Sequence, residues 1–236
     1  MNYYFEYILK NKIKSVLIMF LVYVVFRYLS LPYSSIENLK KGKITSSALM
    51  KQRIKESSKK NNKYEVKQKW IPITKISYHV LNALIVSEDG TFYQHGGVDW
   101  YELEESIEKN LKKGKSVRGG STISQQLSKN LFLSNDKNYI RKIEELIITL
   151  RMEKILSKRR ILEIYLNIIE FGKGIYGIEA ASKIYFGKSS KELSRNEAIR
   201  IVSIIPSPLR HSPNDGSKYV NNRTRIIEKR MQARGW

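Results

Sequence analysis

Val117-Arg-Gly-Gly-Ser-Thr-Ile-Ser-Gln-Gln-Leu-Ser-Lys-Asn-Leu-Phe132 is the stretch around which the rest of the chain is arranged. Two glycines run into a serine able to cap the helix that follows. Thr122, Gln125, Gln126 and Lys129 recur at i, i+3, i+4 and i+7, so they are expected on one helical face, with Ile123, Leu127 and Leu131 against a core. Glycines ahead of a helix start let backbone approach a ligand, and the free N–H groups and dipole of that start attract an anion. Arg118 and Lys129 add full charges. The pattern suits a cradle for phosphate or pyrophosphate on a ligand that also needs amide hydrogen bonds. A glycine-plus-cap start also opens many ordinary surface helices, and this stretch alone leaves both readings standing.

Composition narrows the field. The chain has 236 residues, room for one moderate domain and extras. It contains no cysteine, which excludes disulfides and thiolate metal sites, and His79, His95 and His211 form no zinc-binding pair at helical spacing. Forty-three Lys and Arg against 22 Asp and Glu leave a net charge of +21. A surplus of that size implies an anionic partner: nucleic acid, an anionic membrane surface or a phosphorylated substrate.

The N-terminus bears on that choice. Lys10, Lys12 and Lys14 precede the apolar run Ser15 to Phe26, which Arg27 interrupts and Tyr28-Leu-Ser-Leu31 extends to Pro32. Residues 15–31 therefore read as a short transmembrane signal anchor behind a basic cytoplasmic tail at 1–14, with Arg27 able to snorkel. No small-x-small cleavage signal follows closely, which disfavours a removed signal peptide. In this orientation the rest of the chain lies outside the cytoplasm and nucleic acid is not its partner. Residues 32–69 are Lys- and Ser-rich and read as a solvated membrane-proximal linker able to touch lipid headgroups.

Residues 70–236 carry the pattern of a compact helical domain. Ile76, Val80, Ala83 and Leu84 mark a first helix. Asp99 and Glu102 form a capping box for a second, with Leu103, Ile107 and Leu111 expected inward. Ile140, Ile143, Ile147 and Leu150 mark a longer helix, Ile161 to Phe171 another, and Ile175 to Phe186 one closed by Gly187. Ser194 and Glu197 form a second capping box for a helix that must stop by Pro206. No alternating run would build a substantial sheet, so the class is all-α.

Two carboxylates stand out. Glu88-Asp89 falls where a helix ends, with Phe92 and His95 just beyond; a carboxylate half shielded by aromatics can act as a general base. Arg141 and Glu145 are i, i+4 neighbours, in isolation an ordinary helical salt bridge.

Together these pieces resemble a known family. Glu88-Asp-x-x-Phe-Tyr-x-His-x-Gly-Val-Asp99, Arg118-Gly-Gly-Ser-Thr-Ile-Ser-Gln-Gln-Leu-x-Lys-Asn-Leu-Phe132 and Arg141-Lys-x-x-Glu145 are similar to the first motifs of the peptidoglycan glycosyltransferases. Ile161-Leu-Glu-x-Tyr-Leu-Asn167, Glu179-Ala-Ala181, Tyr185-Phe-Gly187 and Pro206-x-Pro-Leu-Arg210 continue the match, over about residues 70 to 213. With no length for a transpeptidase domain, the chain looks like the monofunctional biosynthetic type, in its Gram-negative form.

The resemblance implies a lysozyme-like α-helical fold behind the single transmembrane helix, in the inner membrane with its catalytic domain on the periplasmic side. It also implies polymerisation of lipid II. The growing undecaprenyl-pyrophosphate glycan is the donor and the 4-hydroxyl of lipid II GlcNAc the acceptor, with inversion at C1. By the same resemblance Glu88 is the catalytic base and Glu145 the second essential carboxylate. Asp89, Phe92 and His95 tune the base, while Lys129 and Arg141 meet the departing pyrophosphate. Arg118, Gly120, Ser121, Thr122, Gln125, Gln126, Asn130 and Lys142 complete the substrate contacts. The sequence requires no cofactor; the family often uses Mg2+ or Mn2+, for which a place near Glu145 is expected but no dedicated cage is visible. Cell-division or elongation proteins are the partners the family suggests. The pattern is broken at Gly90-Thr91, where many members carry a basic residue. Two other classes remain as alternatives: a lysozyme-like enzyme that cleaves glycan, and a non-enzymatic basic membrane-anchored binding protein.

Overall fold

The structure, a computed structural model, describes residues 2–113, 120–133 and 139–236. The chain divides into two compact units, one ending at Ser35 and one running from Ile36 to Trp236.

The first unit is built on α1 (Asn2–Leu29), 28 residues and therefore ~42 Å long at 1.5 Å per residue. Residues of the expected basic tail belong to the same helix. From Val16 to Phe26 its apolar side chains are exposed all round, Leu17 by 60% and Phe20 by 61%. A helix apolar on every side and covered on none is not the surface helix of a soluble domain. Among the described residues this is the one helix long and apolar enough to cross a membrane, with a mean hydropathy of 1.9.

The second unit is all-α around a very small sheet. After α2 (Tyr33–Asn38) come α3 (Ala48–Ser58), β1 (Lys67–Gln68), α4 (Tyr78–Glu88), α5 (Trp100–Lys113), α6 (Ile123–Phe132) and α7 (Tyr139–Ile155). Then follow α8 (Lys158–Ile168), β2 (Glu170–Gly172), β3 (Ile175–Tyr176), α9 (Ile178–Phe186), α10 (Arg195–Ser203) and α11 (Lys218–Gln232). The strands lie in the order β1-β3-β2, with β1 parallel and β2 antiparallel to β3. One layer packs α4 against α10 and α11; the other packs α6 against α7, α8 and α3. Val80, Leu84, Ile123, Leu127, Ile161 and Val202 are fully buried between them.

Local sequence explains where the helices begin and end. Ser194 and Glu197 close the expected capping box at α10, and Ser157 caps α8. Asp99 Oδ1 accepts from the N–H of Glu102 at the start of α5. The helix expected over 161–171 is shifted to 158–168, with β2 following it, and the one expected over 175–186 is shorter, because β3 takes its start and Gly177 at φ +80 separates β3 from α9. A side chain at Gly177 would also strike the carbonyl of Asn167 at 2.6 Å.

The Ile161-Leu-Glu-x-Tyr-Leu-Asn167 segment works through two faces. Glu163 accepts from the N–H of Ile73, and Asn167 pairs with both backbone groups of Ile71, so the four-residue spacing pins the chain entering α4. Tyr165, between them in sequence, points the other way, toward α6.

Two expectations are corrected. The linker expected over 32–69 is, from Ile36 onward, part of the compact unit. Its Lys and Ser content hides Ile36, Leu39, Leu49 and Met50, all buried, and α3 packs on α6. Arg53 of α3 holds the buried carboxylate of Glu170 through Nε and Nη2, at 3.0 to 3.2 Å. Removing one partner of such a pair leaves an uncompensated buried charge, so Arg53→Ala is expected to lower stability by about 3 kcal/mol in urea unfolding. The second correction is α5. Ile107 is 52% and Leu111 77% exposed, so the face expected inward is uncovered by the described residues. Periodicity identifies an apolar face; it does not say what covers it.

Candidate active site

Glu88 is the last residue of α4. Its helix ends there because Asp89 leaves helical geometry at φ −159, ψ 78. The Glu88 side chain is 9% exposed and held by three donors. Oε1 accepts from Ser87 Oγ at 2.8 Å and from Arg223 Nη2 at 3.2 Å; Oε2 accepts from Gln126 Nε2 at 3.1 Å. The last turn of α4, whose carbonyls have no partner within the helix, is met by α11, where Arg230 donates to Val86 O at 3.0 Å; just past both helices Arg234 donates to Gly90 O at 2.8 Å.

Asp89 faces away from this cluster. Its Oδ2 accepts from the N–H of Ile123, the first residue of α6, at 3.0 Å, and its Oδ1 lies 2.9 Å from His95 Nε2. The Gly97 N–H donates to His95 Nδ1, so Nε2 carries the hydrogen given to Asp89. Phe92 is fully buried under Lys158, whose ammonium sits 4.4 Å from the ring centre. The aromatic shield expected around Glu88 is therefore turned elsewhere: His95 supports Asp89, and Phe92 is core.

The same contacts correct the helix-start cradle. The cap of α6 is Thr122, not Ser121, and Thr122 with Gln125 forms a complete capping box. Thr122 Oγ1 also donates to Gly97 O at 2.6 Å. Both side chains are buried and spent on the helix start, and the anion at that start is the protein's own Asp89. Asp89→Asn is accordingly expected to cost about 1–2 kcal/mol in urea unfolding, because it removes the charge at the helix start and sets an amide against His95. Gly120 packs its backbone against α5, and a side chain there would meet Ser106 Oγ at 3.0 Å. Arg118 lies outside the described residues.

Further along α6, Gln126, Lys129 and Asn130 face a cavity of about 340 Å³ that also takes in Glu88, Ser121, Tyr165 and Arg53. On the other side Glu88 and Ser121 border a second cavity of about 800 Å³, walled by Arg223, Arg230, Arg234, Asp99 and Glu102. Glu88 thus stands between two cavities.

Beside the first lies a cationic cluster. Glu145, 3% exposed, pairs with Arg141 Nη1 at 2.9 Å and with Lys142. Lys142 Nζ also reaches toward Ser121 Oγ at 3.5 Å. Lys129 makes no ion pair among the described residues. Burial holds its ammonium below the ordinary lysine value, with Arg141 and Lys142 pushing the same way and Glu145 opposing. Lys129, Arg141 and Lys142 thus gather around Glu145, and of the three Lys129 is the one without an ion pair among the described residues. Both oxygens of Glu145 serve cationic side chains, and no three His, Asp or Glu converge among the described residues.

Arg223, Arg230, Arg234 and Arg53 were not singled out in the sequence, and Tyr165 stood only within a matched motif, without a role. A signal existed for the first three, which recur at i, i+7 and i+11 along and just past α11; by itself that spacing reads as a solvated basic face.

The transglycosylase family model matches residues 52–232. The chain is 44% identical over 215 residues to the biosynthetic peptidoglycan transglycosylase of Nitrosospira multiformis, spanning 91% of this chain and 94% of that one. It is 46% identical to the proteins of that name from Janthinobacterium sp. (80% and 81% covered) and Chromobacterium violaceum (79% and 82%).

Proposed function

The chain belongs to the transglycosylase family, peptidoglycan glycosyltransferases of helical, lysozyme-like fold that polymerise glycan chains, and from that premise we propose how its site does so. The substrate is lipid II, and the growing strand is held as its undecaprenyl pyrophosphate. The observation that carries this reading is the place of Glu88, a positioned carboxylate between two cavities with the cation-rich cluster beside one of them.

The reaction needs an acceptor hydroxyl deprotonated, a glycosidic bond made at C1, and a pyrophosphate leaving group stabilised. Glu88 takes the proton from the 4-hydroxyl of the acceptor sugar as its oxygen attacks C1 of the donor from the face opposite the pyrophosphate, giving a β linkage with inversion. The bond from C1 to the pyrophosphate oxygen breaks, and the charge left on that oxygen is met by Lys129, Arg141 and Lys142. Glu145 holds Arg141 and Lys142 in place. A hydrolase acting on glycan has no leaving pyrophosphate to stabilise, so Lys129, without an ion pair among the described residues, favours transfer over cleavage. The apolar α1, with Lys10, Lys12 and Lys14 ahead of its most apolar part, suits a single-pass anchor in the cytoplasmic membrane with the catalytic unit outside.

The test is incubation of the purified full chain in detergent with lipid II, products being separated by size. Long glycan from lipid II supports the reading. Shortening of preformed strands with none made from lipid II would replace it with a cleaving enzyme.

A further inference from the structure

Tyr165 is fully buried, on a helix whose neighbouring positions Ile161, Leu162, Ile164 and Leu166 are equally buried and apolar. A phenylalanine would fill the same volume without the cost of burying a hydroxyl. The hydroxyl is satisfied by one partner, Gln126 Oε1, at 2.7 Å. Burial first, and then the carboxylates of Glu88 and Asp89, push the phenol well above its ordinary range, so it keeps its hydrogen and acts as a donor.

That donor sets the amide of Gln126. With its oxygen committed to Tyr165, its N–H2 is turned to Glu88, where Nε2 lies 3.1 Å from Oε2. The reversed amide would oppose its oxygen to a carboxylate and leave the phenolic hydrogen without an acceptor. The two oxygens of Glu88 are not equivalent. Oε1 already accepts from both Ser87 and Arg223, whereas among the described residues Oε2 accepts from Gln126 alone. Oε2 therefore has the lone pair left for an incoming proton.

We propose that Tyr165 is a positioning residue for glycan synthesis, acting through Gln126 to hold Oε2 of Glu88 as the atom that receives the acceptor's proton. This rests on the reading of Glu88 as the base. Tyr165 touches neither substrate, and its effect falls on the rate of transfer rather than on binding.

The experiment is a double-mutant cycle on the full chain in detergent, with steady-state polymerisation of lipid II by wild type, Tyr165→Phe, Gln126→Ala and the pair. Tyr165→Phe should lower kcat on the order of tenfold, as a slightly misplaced base does, with KM changed less than about twofold and the melting temperature down by only about 3 °C. In the Gln126→Ala background the same replacement should have no further effect. A wild-type kcat for Tyr165→Phe, or losses that multiply in the double variant, would overturn the proposal. Gln126→Met, which leaves α8 untouched, provides a second reading should Tyr165→Phe fail to fold: it must lower kcat, and full activity would equally overturn the relay. Glu88→Gln run alongside separates the two ideas. If it is as active as wild type, the base assignment fails; if it is inactive while Tyr165→Phe has wild-type kcat, only the relay fails.

Discussion

Glu88→Gln is expected to abolish glycan synthesis from lipid II, lowering kcat by about a thousandfold or more, while the protein stays folded. The replacement keeps the length and planarity of the side chain, so Ser87 and Arg223 retain an oxygen to bond. What is lost is the ability to take a proton from the acceptor hydroxyl. One amide also comes to face the amide of Gln126, a small local cost that should move the melting temperature by only a few degrees. Glu88→Asp is the informative companion. It preserves the chemistry but draws the carboxylate back by one methylene, and a base moved by about 1 Å loses on the order of a hundredfold. The measurement is a time course of polymer formation under saturating lipid II. A Gln variant that still makes long strands would remove Glu88 from the base role and leave it a binding residue.

Lys129→Met is expected to have the second largest effect, lowering kcat by about a hundredfold to a thousandfold, the range seen when one charge-stabilising donor is removed from a preorganised site. Methionine keeps most of the length and fills the half-buried stem, so the loss reports the charge. The wild-type ammonium is already disfavoured by burial and by its cationic neighbours. A bound pyrophosphate reverses that balance, so anion binding and protonation of Lys129 are coupled. Titration of inorganic pyrophosphate into wild type and into Lys129→Met, compared at each pH, should show the wild-type advantage falling as pH rises through the lowered Lys129 value, earlier than for a lysine at its ordinary 10.5. The sign for stability is the opposite one. Unfolded Lys129 binds its proton more tightly than folded Lys129, so its contribution to stability rises with pH between the lowered folded value and 10.5. Pyrophosphate affinity that is unchanged in Lys129→Met would move the anion site to Arg141 and Lys142 alone.

Much of this was legible in the chain before folding. The capping boxes, the Ile123, Leu127 and Leu131 core face, and the apolar α1 depend on residues three, four or seven apart, and helical geometry fixes such neighbours whatever the rest of the chain does. The same local logic left Thr122 and Gln125 open between two uses. Their side chains can close a capping box or meet a ligand, and the box is formed within four residues, before any substrate competes. The apolar spacing on α5 was likewise real, but its expected burial was not, because no periodicity says which element will lie opposite.

The residue types at the site, the order of the helices and the presence of one apolar helix were determined by the sequence alone. Only the tertiary structure decided what each group faces. Arg223 reaches Glu88 from 135 residues away, Arg53 reaches Glu170 from 117, and Tyr165 reaches Gln126 from 39. Those contacts exist because α11 packs on α4, and α3 and α8 pack on α6. Hydrogen bonds within a helix span four residues and are written in adjacent sequence. The donors that aim a catalytic carboxylate come from wherever burial of apolar faces brings distant helices together, and that choice is made by the whole core at once.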